Sequence, residues 1–209
     1  VEKIDDKGIR YFYSDKKATL YHARNLALNV TRGDLITFLD VDDIWLKNKL
    51  EAQVAKFKNN KNLGVVYSNY FIKNEFNNKI KKRKWSSLPK GYIFNYLLKD
   101  YCVGLLTIMI NRNIFTQDNY KFDSSYEIIG DFELMMKLST KYEFDSINKP
   151  LAIYRLHDTN ISNNKEREIK ELNYWYSKNK NIIDFKRSKN FKFFQHKIRY
   201  LEIITNINK

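Results

Sequence analysis

The chain has 209 residues, with a hydrophobic fraction of 43% and an aromatic fraction of 15%, which is enough apolar material for one sizeable core. Its net charge of +14 points to a phosphorylated substrate, an anionic membrane surface, nucleic acid, or simply lysine-rich solvated surfaces. Dedicated nucleic-acid binding is disfavoured because no zinc-finger, RNP-type or basic-zipper pattern accompanies the charge. A single cysteine, Cys102, excludes an internal disulfide. With no signal-peptide pattern or membrane-spanning apolar run, we expect a cytoplasmic protein.

The first third of the chain alternates strand and helix patterns. The aromatic and β-branched run 9–13 is typical of a strand. Ser14 and Asp15 are N-cap candidates for the helix that follows, and Gly33 stands where its C-cap belongs. The apolar residues at helical spacing that predict its buried face are Leu20, Ala23, Leu26, Ala27 and Val30.

A nearly continuous apolar run, 35–39, then predicts a strand covered on both faces, and it ends in the acidic group 40–43. After the acids, apolar spacing predicts a second helix with Leu50, Val54 and Phe57 on its buried face. Another strand is predicted over 64–68. This alternation indicates an α/β fold with a mostly parallel central sheet flanked by helices, in which ligands bind at the carboxyl ends of the strands.

The rest of the chain is less regular. Its predicted elements are a hairpin or loop over 69–84, a short helix over 92–98, a strand over 105–110, a helix over 131–141 and a last strand over 151–154.

Beyond Ser162 the pattern is helical and basic. Residues 163–209 hold 12 Lys and Arg against 5 Asp and Glu, a net +7 that is half of the total charge. We expect a catalytic domain over 1–160 and a basic helical extension over 161–209. Its last helix has an apolar stripe that consists of Phe194, Ile198, Leu201 and Ile204. This stripe either packs on the domain, pairs subunits or rests on an anionic membrane at the inner face of the plasma membrane.

The acidic group after the buried strand is the first candidate for chemistry. Asp40 and Asp42 are two residues apart, so their side chains leave on the same side if the chain stays extended. Converging carboxylates repel one another unless they share a cation. Mg²⁺ or Mn²⁺ suits such oxygen ligands and commonly completes its shell with substrate phosphates. The alternative explanation is a solvated turn or a helix N-terminus.

Three separated segments now carry a family resemblance, namely Ala23-Arg24-Asn25 with Gly33 to Gln53, Gly130 to Leu138, and Tyr154 to Ser162. Their order and spacing resemble those of the family-two nucleotide-sugar glycosyltransferases of the GT-A fold, over roughly residues 8 to 165. Members normally begin with further strands that form the nucleobase pocket. Nothing before Ile9 encodes them, so we expect a partial GT-A domain that lacks its first βα units.

In that family the acids after the buried strand form the DXD motif. The resemblance implies that Asp42 is the direct metal ligand, that Asp40 contacts the ribose, the sugar or the metal, and that Asp43 supports the loop. It also implies that Arg24 and Asn25 lie along the donor site, although a position on the helix surface explains them equally well.

The second segment resembles the family's acidic motif beside the acceptor. Asp131 falls on the general base of inverting members, while Gly130 replaces the usual Glu and Glu133 remains a candidate for acceptor contact. The competing view is that Asp131 and Glu133 complement the helix dipole, which would also keep Asp131 ionised. In the third segment, His157 and Arg155 are candidates for binding donor phosphates or the acceptor.

Together these implications predict an inverting, metal-dependent glycosyltransferase. It would move a sugar from a nucleotide diphosphate donor to a glycan or a lipid-linked saccharide. The alternative is a non-catalytic carbohydrate-binding or nucleotide-binding relative of the same fold, which the glycine at position 130 and the absent front segment favour.

Overall fold

The computed structural model describes residues 6–13, 18–83, 85–182, 188 and 190–207. Its helices are α1 Leu20–Val30, α2 Lys49–Asn59, α3 Phe94–Lys99, α4 Asn113–Thr116, α5 Gly130–Lys141, α6 Lys165–Asn179 and α7 Phe191–Ile207. Its strands are β1 Leu35–Ile36, β2 Ile44–Trp45, β3 Leu63–Asn74, β4 Lys79–Lys82, β5 Met109–Asn111 and β6 Glu143–Leu156.

These elements form one mixed sheet with helices packed against it. The strand order is β1-β5-β3-β6-β2, and β4 pairs with β3 as a hairpin. The α/β class is therefore confirmed. The expectation of a mostly parallel sheet is wrong in detail, because β3 and β6 are parallel while the other described pairings are antiparallel.

The long parallel pair β3 and β6 forms the centre of the molecule. Val65, Val66 and Tyr67 of β3 are fully buried, as the predicted strand over 64–68 requires. Pro150 of β6 faces Asn69 where the register shifts. Proline has no N–H for the ladder, so it is tolerated at such an irregularity.

Helix α1 has the predicted extent but a different buried face. Tyr21, Arg24 and Leu28 point inwards, whereas Leu20 and Leu26 of the predicted stripe are exposed. Thr19 provides the N-cap through its side-chain oxygen. The predicted caps Ser14 and Asp15 lie outside the described residues, and at the other end Thr31 takes the place predicted for Gly33.

Helix α2 departs from the prediction in the same way. Its buried residues are the polar pair Lys49 and Gln53, and Leu50 is exposed. In both helices the inward polar groups find hydrogen-bond partners, so apolar spacing alone chose the wrong face.

Two of the predicted strands are also corrected. Residues 9–13 are exposed and form no strand, because no neighbouring strand in the described part of the chain pairs with them. The strand predicted over 35–39 ends at Ile36, and Leu39 is exposed because β1 lies at the edge of the sheet. The run 105–110 divides into a 3-10 turn, Leu105–Thr107, and β5.

The C-terminal helices share the main core. Phe132 of α5 packs against Trp175 of α6 and Phe194 of α7, at ring-centroid distances of 5.0 and 5.7 Å. Ile198 is also buried, so the stripe predicted on the last helix packs on the domain. None of the helices in the described ranges combines the length and apolar character needed to cross a bilayer.

Candidate active site

The acidic group forms a tight turn between β1 and β2. The Asp43 amide donates to the Asp40 carbonyl at 3.1 Å, and Val41 at its tip is fully exposed. The chain is therefore not extended here, which removes the condition under which Asp40 and Asp42 would leave on the same side. The two carboxylates instead engage different partners.

Sheet register places Asp42 beside the segment that follows β6. Because β2 pairs antiparallel with β6, with Ile44 opposite Ile153, the residues before β2 face the residues that end β6. Asp42 Oδ2 lies 2.8 Å from His157 Nε2 and 3.4 Å from the side-chain nitrogen of Asn160. The structure thus joins two of the predicted site residues, Asp42 and His157.

The third acid of the turn faces inwards. Asp43 Oδ1 accepts a hydrogen bond from the Arg155 amide at 3.1 Å, which ties the turn to β6. Burial, reinforced by the neighbouring charges of Asp42 and Asp40, raises the pKa of Asp43 to about 6. The side chain of Arg155 itself is engaged by Glu75 at 2.8 Å, outside the acid turn.

Asp40 is held by helix α1. Arg24 Nη2 lies 2.6 Å from Asp40 Oδ1, and the arginine is buried rather than on the helix surface. The next residue, Asn25, donates to the Phe122 carbonyl and accepts from the Phe122 amide, at 2.8 and 3.0 Å. Its amide therefore fixes the segment before α5, and the donor contact of Asn25 stays a prediction.

The same face of α1 reaches Asp131 at the start of α5. Tyr21, one turn before Arg24, has its hydroxyl 3.3 Å from Asp131 Oδ1. Burial raises the pKa of Asp131, while the Phe132 amide and the charge of Arg24 oppose that rise. The Phe132 amide at the helix start favours the ionised form, and the expectation that this position keeps Asp131 ionised stays a prediction. A raised pKa brings a carboxylate closer to the range in which a general base works.

The loop before Asp131 is capped by the C-terminal helix α6. Both Glu171 oxygens accept amide hydrogens, from Glu127 at 2.9 Å, Ile128 at 3.0 Å and Ile129 at 3.1 Å. Charge-assisted hydrogen bonds of this kind are the strong ones. The basic extension therefore positions the residues that lead into Asp131.

Glu133 is not brought to the site. Its side chain is 1% exposed, forms an ion pair with Lys137, and leaves Oε2 buried without a hydrogen bond. Two residues along a helix point in widely different directions, so Asp131 and Glu133 lie on different faces of α5.

A buried lysine supports the strand that leads to the acid turn. Lys49 donates to Thr37 Oγ1 at 3.0 Å and to Gln53 Oε1 at 2.7 Å, and its ammonium lies 4.4 Å from the centre of the Trp45 ring. Gln53 in turn donates to the carbonyls of Val66 and Thr107. Burial lowers the pKa of Lys49 to about 7.

The acid turn offers oxygen ligands for a divalent ion but no closed cage. Within the described ranges, no group of three or more His, Cys, Asp or Glu side chains is arranged to hold a metal ion. Mg²⁺ and Mn²⁺ sites that are completed by substrate phosphates need only one or two protein carboxylates. Asp42 and Asp40 are 32% and 41% exposed on this turn, so each can present a carboxylate to such an ion without a closed protein cage.

Sequence reasoning missed four residues that build this site, namely Tyr21, Lys49, Asn160 and Glu171. Asn160 stands inside the segment quoted for the resemblance, three residues after His157, so its position was available. The other three lie on helices, where the sequence did not show that a polar side chain points inwards.

Comparisons with known proteins agree with this architecture. The sequence profile of Glycosyl transferase family 2 matches residues 1–137. The UDP-Glc:alpha-D-GlcNAc-diphosphoundecaprenol beta-1,3-glucosyltransferase WfgD of Escherichia coli is 32% identical over 172 residues, which are 81% of this chain and 64% of that protein. A second E. coli enzyme of the same description, WfaP, is 28% identical and is covered to the same 64%. The chain thus spans less than two thirds of the length of these relatives.

Solved structures show the same fold. S. aureus TarS 1-349 in complex with UDP-GlcNAc superposes with a TM-score of 0.56 at 14% identity, covering 76% of this chain and 46% of that one. The complex of the same protein with UDP gives a TM-score of 0.53 at 15% identity, over 77% and 45%. At such identity the likeness concerns the fold alone. Because the family profile covers most of the chain, the protein belongs to glycosyl transferase family 2.

Proposed function

We propose that the whole protein is an inverting glycosyltransferase that uses a nucleotide diphosphate sugar and a glycan or lipid-linked saccharide acceptor, in the cytoplasm. The observation that carries this proposal is the single face of α1 that contacts both ends of the site. Arg24 holds Asp40 on the donor side, and Tyr21 holds Asp131 on the other. The names of the two E. coli relatives include a UDP-sugar donor and a diphosphoundecaprenol-linked acceptor, which supports the proposed substrate classes.

Each site residue has a distinct role in the proposed reaction. Asp131 accepts the proton of the acceptor hydroxyl while that oxygen bonds to the anomeric carbon, and the bond from this carbon to the diphosphate breaks on the opposite face. In-line displacement of this kind inverts the configuration of the carbon. Arg24 holds Asp40 in place, and His157 with Asn160 fixes the orientation of Asp42.

We assign Asp42, with Asp40, as the residues that would hold Mn²⁺ or Mg²⁺. When bound together with the donor, such an ion supplies positive charge against the leaving nucleoside diphosphate. Calorimetric titration with UDP, with and without Mn²⁺, tests the assignment. Asp42→Asn should remove the strengthening that Mn²⁺ gives, whereas an unchanged dependence on Mn²⁺ would contradict it.

Transfer from UDP-glucose or UDP-GlcNAc to a lipid-linked GlcNAc diphosphate, with Mn²⁺ present, tests the function. Asp131→Asn should lower kcat by about 10²- to 10⁴-fold and leave donor binding intact. Asp118→Asn, which removes an exposed carboxylate near the far end of α5, is the matched control and should keep full activity. Donor binding by the unmodified protein with no transfer to any such acceptor would instead indicate the non-catalytic relative.

We also propose that the outer face of α7 contacts an anionic membrane surface, where a lipid-linked acceptor resides. Its inner stripe packs in the core, but Phe193, Tyr200, Ile203 and Ile207 are exposed beside the exposed Lys192 and Arg199. Such a face has apolar groups to insert and positive charge to attract anionic lipid.

Vesicle sedimentation tests this contact. Binding to phosphatidylglycerol vesicles should weaken with salt and with Arg199→Glu, but not with Lys58→Glu on α2. Equal binding to neutral phosphatidylcholine vesicles, or no binding to either kind of vesicle, would refute the membrane contact. Neither result would bear on the proposed role of Asp131.

A further inference from the structure

Tyr21 of α1 contacts Asp131 from another element. It is 2% exposed, and its ring stacks on Phe122 at a centroid distance of 5.5 Å. Its hydroxyl lies 2.6 Å from the Ile128 carbonyl and 3.3 Å from Asp131 Oδ1. The phenol therefore touches both the proposed base and the loop that precedes it.

Gly130, the residue before Asp131, packs directly against the Tyr21 ring. A Cβ at Gly130 would lie 2.6 Å from Tyr21 Cε2 and 2.7 Å from Cδ2, which is shorter than real contacts allow. The tyrosine ring is packed and cannot swing away without leaving Phe122. A side chain at position 130 would therefore clash with the Tyr21 ring unless that ring shifts, and the glutamate usual at this position of the family would meet the same ring.

The phenol is suited to both protonation states of Asp131. A phenol has one proton to donate and lone pairs to accept. When Asp131 is ionised, Tyr21 can donate to its carboxylate. When Asp131 has taken a proton, the carboxyl can donate to the phenol oxygen while the tyrosine donates to the Ile128 carbonyl. In the ionised state the single phenol proton is shared between the Ile128 carbonyl at 2.6 Å and the Asp131 carboxylate at 3.3 Å.

We propose that Tyr21 is a positioning residue that orients the Asp131 carboxylate and lowers its proton affinity, in the place that a side chain at position 130 would otherwise occupy. This inference rests on the proposed role of Asp131 as the base. It assigns to Tyr21 no contact with the substrate, so its removal should change how the base works and not how the donor binds.

Other groups also face Asp131 and must be kept constant in the test. Arg24 of α1 favours its charged form. Burial raises the pKa of the Tyr101 and Tyr70 phenols, and the Asp131 charge adds to that rise. The Tyr101 hydroxyl makes no hydrogen bond within the described residues. Among these groups Tyr21 alone has a described hydrogen bond to the Asp131 side chain.

The variant Tyr21→Phe keeps the ring and its packing and removes only the hydroxyl. We expect kcat to fall by about tenfold with an unchanged KM for the donor, and the acidic limb of the pH profile of kcat/KM to move up by about one unit. The upward movement follows because a hydrogen bond to the carboxylate favours its ionised form.

Tyr67→Phe is the matched control. Tyr67 is also fully buried and donates to a backbone carbonyl, that of Pro89 at 2.8 Å, but makes no contact with Asp131. It should lose stability as Tyr21→Phe does and leave the pH profile in place. If both variants lose stability and neither shifts the profile or lowers kcat, Tyr21 is only structural and the inference is overturned.

A direct measurement separates this inference from the proposed function. The carboxyl carbon of Asp131, identified by ¹³C NMR through its loss in Asp131→Asn, reports its own titration without any turnover. An upward shift of about one unit in Tyr21→Phe would support the inference even if no acceptor is found. An unshifted titration would overturn it even if the protein proves to be an active transferase.

Discussion

The buried Lys49 predicts an unusual dependence of stability on pH. Its side chain is 0% exposed, it makes no ion pair with a carboxylate in the described ranges, and burial lowers its pKa from 10.5 to about 7. The unfolded chain therefore binds this proton more tightly than the folded protein does. Folding stability must rise with pH between the two pKa values.

The magnitude follows from the linkage relation. Each pH unit in this window contributes about 1.4 kcal/mol once the folded lysine is neutral, and about half of that at pH 7 itself. Between pH 6 and pH 9 the contribution of Lys49 to the free energy of unfolding should grow by roughly 3 kcal/mol. Urea unfolding at several pH values measures it.

Lys49→Met removes the titrating group and keeps an unbranched side chain of similar length. The free energy of unfolding of this variant, subtracted from that of the unmodified protein, should rise with pH by the amount above. The raised pKa of Asp43 lowers the folding stability of the protein as pH rises towards 6. Asp43 is present in both proteins, so its contribution cancels in the difference. Lys58→Met, on the exposed side of α2, should retain the full slope.

Parallel curves for the unmodified protein and Lys49→Met between pH 6 and pH 9 would refute the reasoning. They would mean that the ammonium is solvated or paired and that Lys49 does not titrate near neutrality. A difference that falls with pH would contradict even the sign.

Three further changes test the packing around the site. Gly130→Ala should cost about 1–3 kcal/mol through its clash with Tyr21, and a double-mutant cycle with Tyr21→Ala should recover much of that loss in chemical unfolding. Glu171→Gln should cost about 1.5–3 kcal/mol, because one of the two oxygens that accept the loop amides becomes a donor. Phe194→Ala should cost about 3–5 kcal/mol in calorimetry if α7 belongs to the core, and a value near zero would show that it does not.

The helices were predictable in extent but not in orientation. Apolar spacing located α1, α2 and α5 within one or two residues. It failed to choose the buried side of α1 because Tyr21 and Arg24 enter the interior with partners from distant segments. Such partners are separated by up to 110 residues in sequence, and no local pattern encodes them.

The sheet shows a similar division. Apolar runs located the central strand β3, since a strand covered on both faces must be apolar along its length. The directions of pairing were not predictable from alternation of strands and helices alone. Short β2 and β5 pair antiparallel with the longer strands β6 and β3, which are distant in sequence, so no local turn signal indicates the pairing.

The candidate site residues differ in whether a sequence motif marks them. Asp40, Asp42, Asp131 and His157 stand in segments with a recognisable order, so the sequence alone could propose them as candidates. Sequence could not say which of them meet, and the structure pairs Asp42 with His157. Glu171 left no signal because a glutamate on an amphipathic basic helix looks like any solvated charge.

Helix α1 connects the two ends of the candidate site. Tyr21, Arg24 and Asn25 occupy one helical face, and each contacts a different segment of the chain. A helix is rigid over one turn, so the segments that carry Asp40 and Asp131 are held at a separation that α1 sets. In the proposed in-line transfer, the acceptor oxygen beside Asp131 and the leaving diphosphate beside the acid turn lie on opposite faces of one carbon, and small errors in such spacing are costly. A change on the inward face of α1 should therefore displace the segments of Asp40 and Asp131 even where both acids are kept.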